Sequence, residues 1–364
     1  MSTSWKIFAA ILLVASGSTG CQSNALEEPE REEQPVWMWE DERIRQFWSG
    51  IEAGPALKPS SWPNGAKVAV ALSFDYQMGT IYDPANVASS VNTNSIYDGR
   101  VGLVRILDLL ERHEVPASFF ITGVTAMLYP ETLTAILESG RHEIGVHGWI
   151  HERPSELPDQ VEAELLEKSI DAIQAVTGQV PVGYRSPAWE FSEDTLGLLL
   201  DHGFLYDSGM MADDDPYEIV IQGEPTGLLE LPVEWIRDDA PHFQRGRASS
   251  PDAVYEIWSA EFDGAFREGG VFQLTMHPRI MGHRSRALML EKLIGYMKEH
   301  DEVWFATHEE IARYVIESSK AEADDPGEDL VDLDTRDGVG FQPVGNDTTR
   351  VERRHVNTRV SVAF

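Results

Sequence analysis

Residues 68–74 form an apolar run that stops at Asp75. A run of that kind fits a strand covered on both faces better than one alternating between core and water. Comparable runs recur at 117–121, 143–146, 180–184, 204–206, 228–233, 271–276 and 303–306. Segments with a 3.6-residue period lie between them. Val101, Val104, Leu107 and Leu110 share one face of a helix expected over 102–113. A helix over 130–139 has Pro130 in its first turn and Gly140 as its stop. Others are expected over 157–177, from a Ser192 cap to Gly203, from Ser250-Pro251 onward, and over 285–300. Thr307 and Glu310 have the spacing of a capping box for a closing helix. Strand and helix alternating in this way predict an α/β barrel rather than a sandwich.

The flanks read differently. Residues 1–21 carry Lys6, a short apolar run and then Ser16 to Gly20, ending at Cys21. The run is too short for a permanent membrane span. The segment resembles a bacterial lipoprotein signal in which Cys21 is lipidated, although Ser18 stands where Leu is usual. An ordinary secretory signal is the alternative. Both predict export, with a membrane anchor in the first case and a secreted or periplasmic protein in the second. Residues 22–36 are polar and acidic and read as a flexible tether. Trp37, Trp39, Ile44, Phe47, Trp48 and Ile51 predict a lead-in helix within 37–62, packed on the main domain or, alternatively, offering an aromatic sugar platform. Residues 63–318 are expected to form the barrel. Residues 319–364 read as an acidic, disordered tail.

Charge narrows the partners. The 61 acidic residues outnumber the 29 basic ones, for a formal net charge of -32. Such a surface would repel a phosphate backbone, so nucleic acid is excluded as a partner. Cys21 is the sole cysteine, which rules out a disulfide framework.

Chemical groups follow the expected strands. Asp75 ends the first. His147 follows the third, in an H-x-x-x-H pair with His151 that could converge on one transition metal. Arg185-Ser186-Pro187-Ala188-Trp189 follows the fourth, and Glu234-Trp235 with Asp238-Asp239 the sixth. His277 follows the seventh. Active sites of such barrels gather at the C-terminal strand ends. Taken singly, Arg185 could be a structural ion-pair partner and the acidic loop a solvated one; five coincidences together point to a site.

This set resembles the polysaccharide deacetylase (NodB-homology) family, in its peptidoglycan-deacetylase-like and allantoinase-like branch. The resemblance implies an irregular (β/α) barrel and hydrolysis of a carbon–nitrogen bond other than a peptide bond. It implies a divalent metal, zinc by expectation, on His147 and His151. Asp75 would be the general base, Arg185 its orienting partner and His277 the general acid. Trp189, Trp235, Asp238 and Asp239 would bind substrate, an N-acetylated glycan such as peptidoglycan or an exopolysaccharide. The family's first motif usually reads Asp-x-Asp, whereas this chain has Asp75-Tyr76-Gln77. Gln77 therefore stands as a doubtful third metal ligand. Three readings follow, in order: a weakened metal site, a metal-independent small-amide hydrolase of the allantoinase-like kind, or a non-catalytic glycan binder.

Overall fold

The computed structural model describes residues 35–50, 53–244 and 249–324. The expectations for residues 1–21, for the tether and for the tail beyond Asp324 lie outside the described residues. Residues 35–50 fall in a unit of their own, separate from the rest. It holds a short turn of helix, Val36–Met38, and a helix Asp41–Ser49, with Trp39 and Phe47 edge to face at 5.4 Å.

The larger unit contains strands β1 (Ala53–Ala56), β2 (Val68–Tyr76), β3 (Ser118–Ile121), β4 (Glu143–Val146), β5 (Gly183–Tyr184), β6 (Tyr206–Asp207), β7 (Tyr217–Ile221), β8 (Glu224–Glu230), β9 (Val271–Met276) and β10 (Val303–Ala306). Parallel pairing runs β9-β2-β3-β4-β5-β6-β8. A parallel bridge between Asp238 and Thr275 then brings the segment after β8 back to β9. The sheet thus curls into an α/β barrel, as the alternation predicts, of the irregular kind that the resemblance implies. β10 pairs the first half of β2, on the edge where β3 pairs the second half. β7 and β1 extend the far edge of β8 antiparallel.

All nine residues of β2 are buried, as the apolar run requires. Val68, Val70, Leu72, Phe74 and Tyr76 join the layer between strands and helices, while Ala69 and Ala71 join the inner cluster. The same inner register then brings in Ser73 and Asp75. Small residues inside leave room for the polar groups that follow them.

Several elements differ from expectation. Proline 181 and Pro232 lack a backbone N–H, so the strands around them shorten or shift to Gly183–Tyr184 and Glu224–Glu230. The lead-in helix occupies only Asp41–Ser49, and Ala53–Ala56 is a strand. The helix expected from 102 begins at Ser90, passes through a π-helical stretch, Asp98–Leu103, and continues to His113. The closing helix His308–Asp324 runs six residues beyond the expected end of the barrel at 318. Its capping box forms as expected: Glu310 N–H donates to Thr307 Oγ1 and Thr307 N–H to Glu310 Oε2.

Candidate active site

β2 delivers Asp75 into the mouth of the barrel. Its Oδ1 accepts from Arg185 Nη1 at 2.8 Å. Arg185 is fully buried, donates also to Ser73 Oγ, Ser208 Oγ and Ser208 O, and lies over the Phe120 ring. Oδ2 of Asp75 is left facing His147 Nε2 at 3.8 Å and His277 Nε2 at 4.0 Å. Burial alone would raise this carboxyl, but Arg185 and the neighbouring histidines outweigh it and hold the pKa at about 2. Asp75 is therefore an anion throughout the working pH range, oriented by the residue the resemblance assigned to that task.

His277 is set from behind by Asp239. Its backbone N–H donates to Asp239 Oδ2 at 2.8 Å, and its Nδ1 lies 2.7 Å from Asp239 Oδ1. Burial raises Asp239 to about 8 and lowers His277 below its ordinary 6.5. Below that pH the pair keeps one proton between Oδ1 and Nδ1, so Nε2 carries its own hydrogen toward Asp75. Both acidic residues expected to bind substrate lie buried beside His277. Asp239 is fully buried and gives both oxygens to His277. Asp238, also buried, accepts from Ala240 N–H at 2.9 Å and lies 3.8 Å from His277 Nδ1. A solvated acidic loop is the local alternative for the pair, and packing against β9 and the Pro278–Met281 helix buries them instead.

Trp189 and Trp235 stack at 4.3 Å with a 44° tilt, and Trp235 is 52% exposed. They form an accessible aromatic surface rather than core. Ala188 and Trp189 both hold φ near +57°, and His151 +66°. Non-glycine residues adopt this left-handed region at a cost, and such strain concentrates at functional sites.

The other half of the mouth departs from expectation. His147 Nδ1 bonds Arg185 O at 2.8 Å, which aims Nε2 inward, and the His147 and His151 rings meet edge to face at 5.2 Å. Gln77 does not aim its oxygen at them. Its Oε1 accepts from Arg279 Nη1 at 2.7 Å and from the Tyr82 hydroxyl, while its Nε2 lies 3.1 Å from His147 Nε2. Flipping the amide would set its NH2 against an arginine that can only donate, so this orientation is fixed. Asp98 pins the Gln77 backbone N–H at 3.0 Å. Arg279 itself is held by close packing: a Cβ on Gly102 would sit 2.2 Å from Pro278 O. Sequence reasoning missed Arg279, Tyr82 and Asp98. Arg279, two positions beyond His277 at the end of β9, carried the strand-end signal that could have found it.

These side chains fit hydrolysis of a polar, planar group: an oriented anion, an opposing proton donor and a flanking aromatic surface at the C-terminal strand ends. The family pattern described as Polysaccharide deacetylase matches residues 64–206. A peptidoglycan deacetylase of Helicobacter pylori is 33% identical over 251 residues, covering 60% of this chain and 85% of that protein. A solved structure from Mycobacterium smegmatis assigned to the polysaccharide deacetylases is 36% identical, with TM-score 0.68, covering 74% of this chain and 96% of that one. PuuE allantoinase is 25% identical with TM-score 0.65, covering 75% and 95%. The chain belongs to the polysaccharide deacetylase family, hydrolases of carbon–nitrogen bonds other than peptide bonds.

Deacetylases of this family are generally metal-dependent. Among the described residues, Asp238, Asp239 and His277 bring possible ligand atoms within 4.8 Å of one another. A cation there would have to break the Asp239–His277 bond. At the expected site, His147 and His151 suit a transition metal, but the third donor does not fit. Gln77 is neutral, its oxygen is taken, and the Arg279 cation stands beside it. Gln77 is therefore corrected from a doubtful ligand to a link between His147 and Arg279. No step below is routed through a metal.

Proposed function

We propose that this carbohydrate deacetylase hydrolyses the amide of an N-acetylated glycan at the cell envelope, such as peptidoglycan or an exopolysaccharide, and that a lipid on Cys21 tethers it to the membrane. The observation that carries the chemistry is Asp75, clamped by Arg185 through Oδ1 with Oδ2 open between His147 and His277. A water bound at Oδ2 adds to the acetyl carbonyl as its proton passes to Asp75. The C–N bond then breaks as His277 Nε2–H protonates the leaving amine. Asp239 supports that step by giving its shared proton to Nδ1. A carboxylic acid held at about 2 cannot keep its proton, so Asp75 returns it to Nε2 and the centre is reset. Acetate and a free amine are the products. Trp189 and Trp235 offer the face on which a sugar ring stacks.

Zinc, the ion expected from the resemblance, would find only His147 and His151 as donors here, because Gln77 Oε1 is held by Arg279. The Gln77–Arg279 bond supports a second reading, hydrolysis of a small linear or cyclic amide without metal, the class that the PuuE allantoinase likeness suggests. Acetate release from N-acetylglucosamine polymers, set beside hydrolysis of allantoin in the presence of chelator, separates the two. Turnover of allantoin alone would sink the glycan reading. Retention of Cys21→Ser in high-salt-washed membranes would remove the tether.

A further inference from the structure

The guanidinium that clamps Asp75 is satisfied on every side. Arg185 Nε–H donates to Ser208 O, and Nη1 donates to Ser73 Oγ and Asp75 Oδ1. Nη2 donates to Ser208 Oγ at 2.9 Å and faces His308 Nε2 at 3.4 Å. These acceptors use all the N–H groups an arginine has. His308 stands apart among them, because a titratable ring there could repel Arg185 as easily as hold it. It opens the closing helix and is fully buried, edge-on to Phe120 at 5.4 Å and stacked on Tyr206 at 6.0 Å. Burial, with the Arg185 charge adding to it, holds its pKa well below the ordinary 6.5, so the ring is neutral. A guanidinium can only donate, so Nε2 is the accepting nitrogen and Nδ1 carries the hydrogen. Nδ1–H then donates to Ser118 Oγ at 3.0 Å, and the Ser118 hydroxyl to Glu143 Oε2 at 2.7 Å. Buried Glu143 is fixed in turn by the Tyr206 hydroxyl at 2.5 Å and Glu309 N–H at 2.9 Å. Ser118 and Glu143 begin β3 and β4, so one chain of directed bonds runs from the closed end of the barrel up to Asp75.

We propose that His308 is a positioning residue for the hydrolysis: a neutral acceptor, backed by Ser118 and Glu143, that fixes the rotation of Arg185 and through it the aim of Asp75. Without that acceptor a buried, charged N–H is left unpaired, and the guanidinium turns to find another, taking the carboxylate with it. This rests on the reading of Asp75 as the base, but spectra test it separately. His308→Gln keeps an acceptor near the Nε2 position, whereas His308→Asn keeps only a donor near Nδ1. In acetate release from N-acetylglucosamine polymers, His308→Asn should lower kcat about tenfold with KM unchanged, and His308→Gln should restore most of it. Arg185→Lys already lacks the fork, so adding His308→Asn to it should cost nothing further. In the full chain labelled with nitrogen-15 arginine, the Arg185 Nη signals should be separate in the parent and in His308→Gln, and averaged in His308→Asn. Thermal melting checks each fold; if His308→Asn does not fold, Ser118→Ala takes its place, with a smaller fall in kcat and the same averaging. A parental kcat in His308→Asn, equal losses in both His308 variants, or a loss repeated in full on the Arg185→Lys background would overturn the role. Separate Arg185 signals that average in His308→Asn, in a chain that releases no acetate, would remove the deacetylase reading and leave the clamp. Full acetate release by His308→Asn would do the reverse.

Discussion

The two halves of the barrel mouth have been treated differently by this sequence. On one side Asp75, Arg185, His277 and Asp239 form a closed set in which every charged group has a partner and a direction. On the other, His147 and His151 face a neutral amide whose oxygen is turned away to Arg279. In the proposed mechanism the first half acts on a water and a carbonyl. The second has exchanged a ligand position for a cation. The contrast teaches that the groups proposed to move protons and the groups that could hold a metal are separate sets of side chains in this barrel.

The largest effect should come from the closed half. Asp75→Asn keeps the shape but removes the anion, and kcat should fall about 10³-fold. The same change leaves Arg185 charged and unpaired in the interior, at a cost of about 3–5 kcal/mol, so the thermal midpoint should drop as well. Turnover within tenfold of the parent would show that the base lies elsewhere.

The pH profile sharpens the comparison further. The Asp239–His277 pair holds its proton up to about pH 8, so kcat/KM should be flat below that and decline above it. In Asp239→Asn the imidazole titrates alone, and burial with Arg279 nearby keeps its pKa below 6.5. The declining limb should therefore move down by more than one pH unit. An unmoved limb would mean that Asp239 does not share the proton.

The open half should matter less. His147→Ala is expected to cost about tenfold in kcat, through loss of the contact with Asp75 and Gln77 rather than of a metal. A loss matching that of Asp75→Asn would break the contrast and return a metal to the centre.

The smallest change concerns occupancy. Gln77→Asp places an anionic oxygen near two imidazoles, and divalent ion retained after dialysis should rise, read by elemental analysis. Arg279 competes for that oxygen, so the gain should be larger in Gln77→Asp combined with Arg279→Met. Full metal in the parent chain after chelation would contradict the assignment of Gln77.

Much of this was legible in order along the chain. β9 and β10 begin and end where the apolar runs do, and the Thr307–Glu310 cap forms as its spacing requires. Period and capping are local properties, fixed by neighbours within a few residues, and a strand-end position tells which side chains reach the mouth. By itself, therefore, the sequence determined the barrel, the identity of Asp75, Arg185, His147 and His277, and the substitution at position 77. It could not determine what those residues face. Asp239 reads as a substrate-binding or solvated acid until the fold sets it against His277, 38 positions away. Gln77 reads as a ligand until Arg279, 202 positions away, turns its oxygen aside. Hydrogen bonds and desolvation act across space at about 3 Å, whatever the separation along the chain. Only the folded barrel brings those atoms together and so decides which groups hold protons and which hold charge.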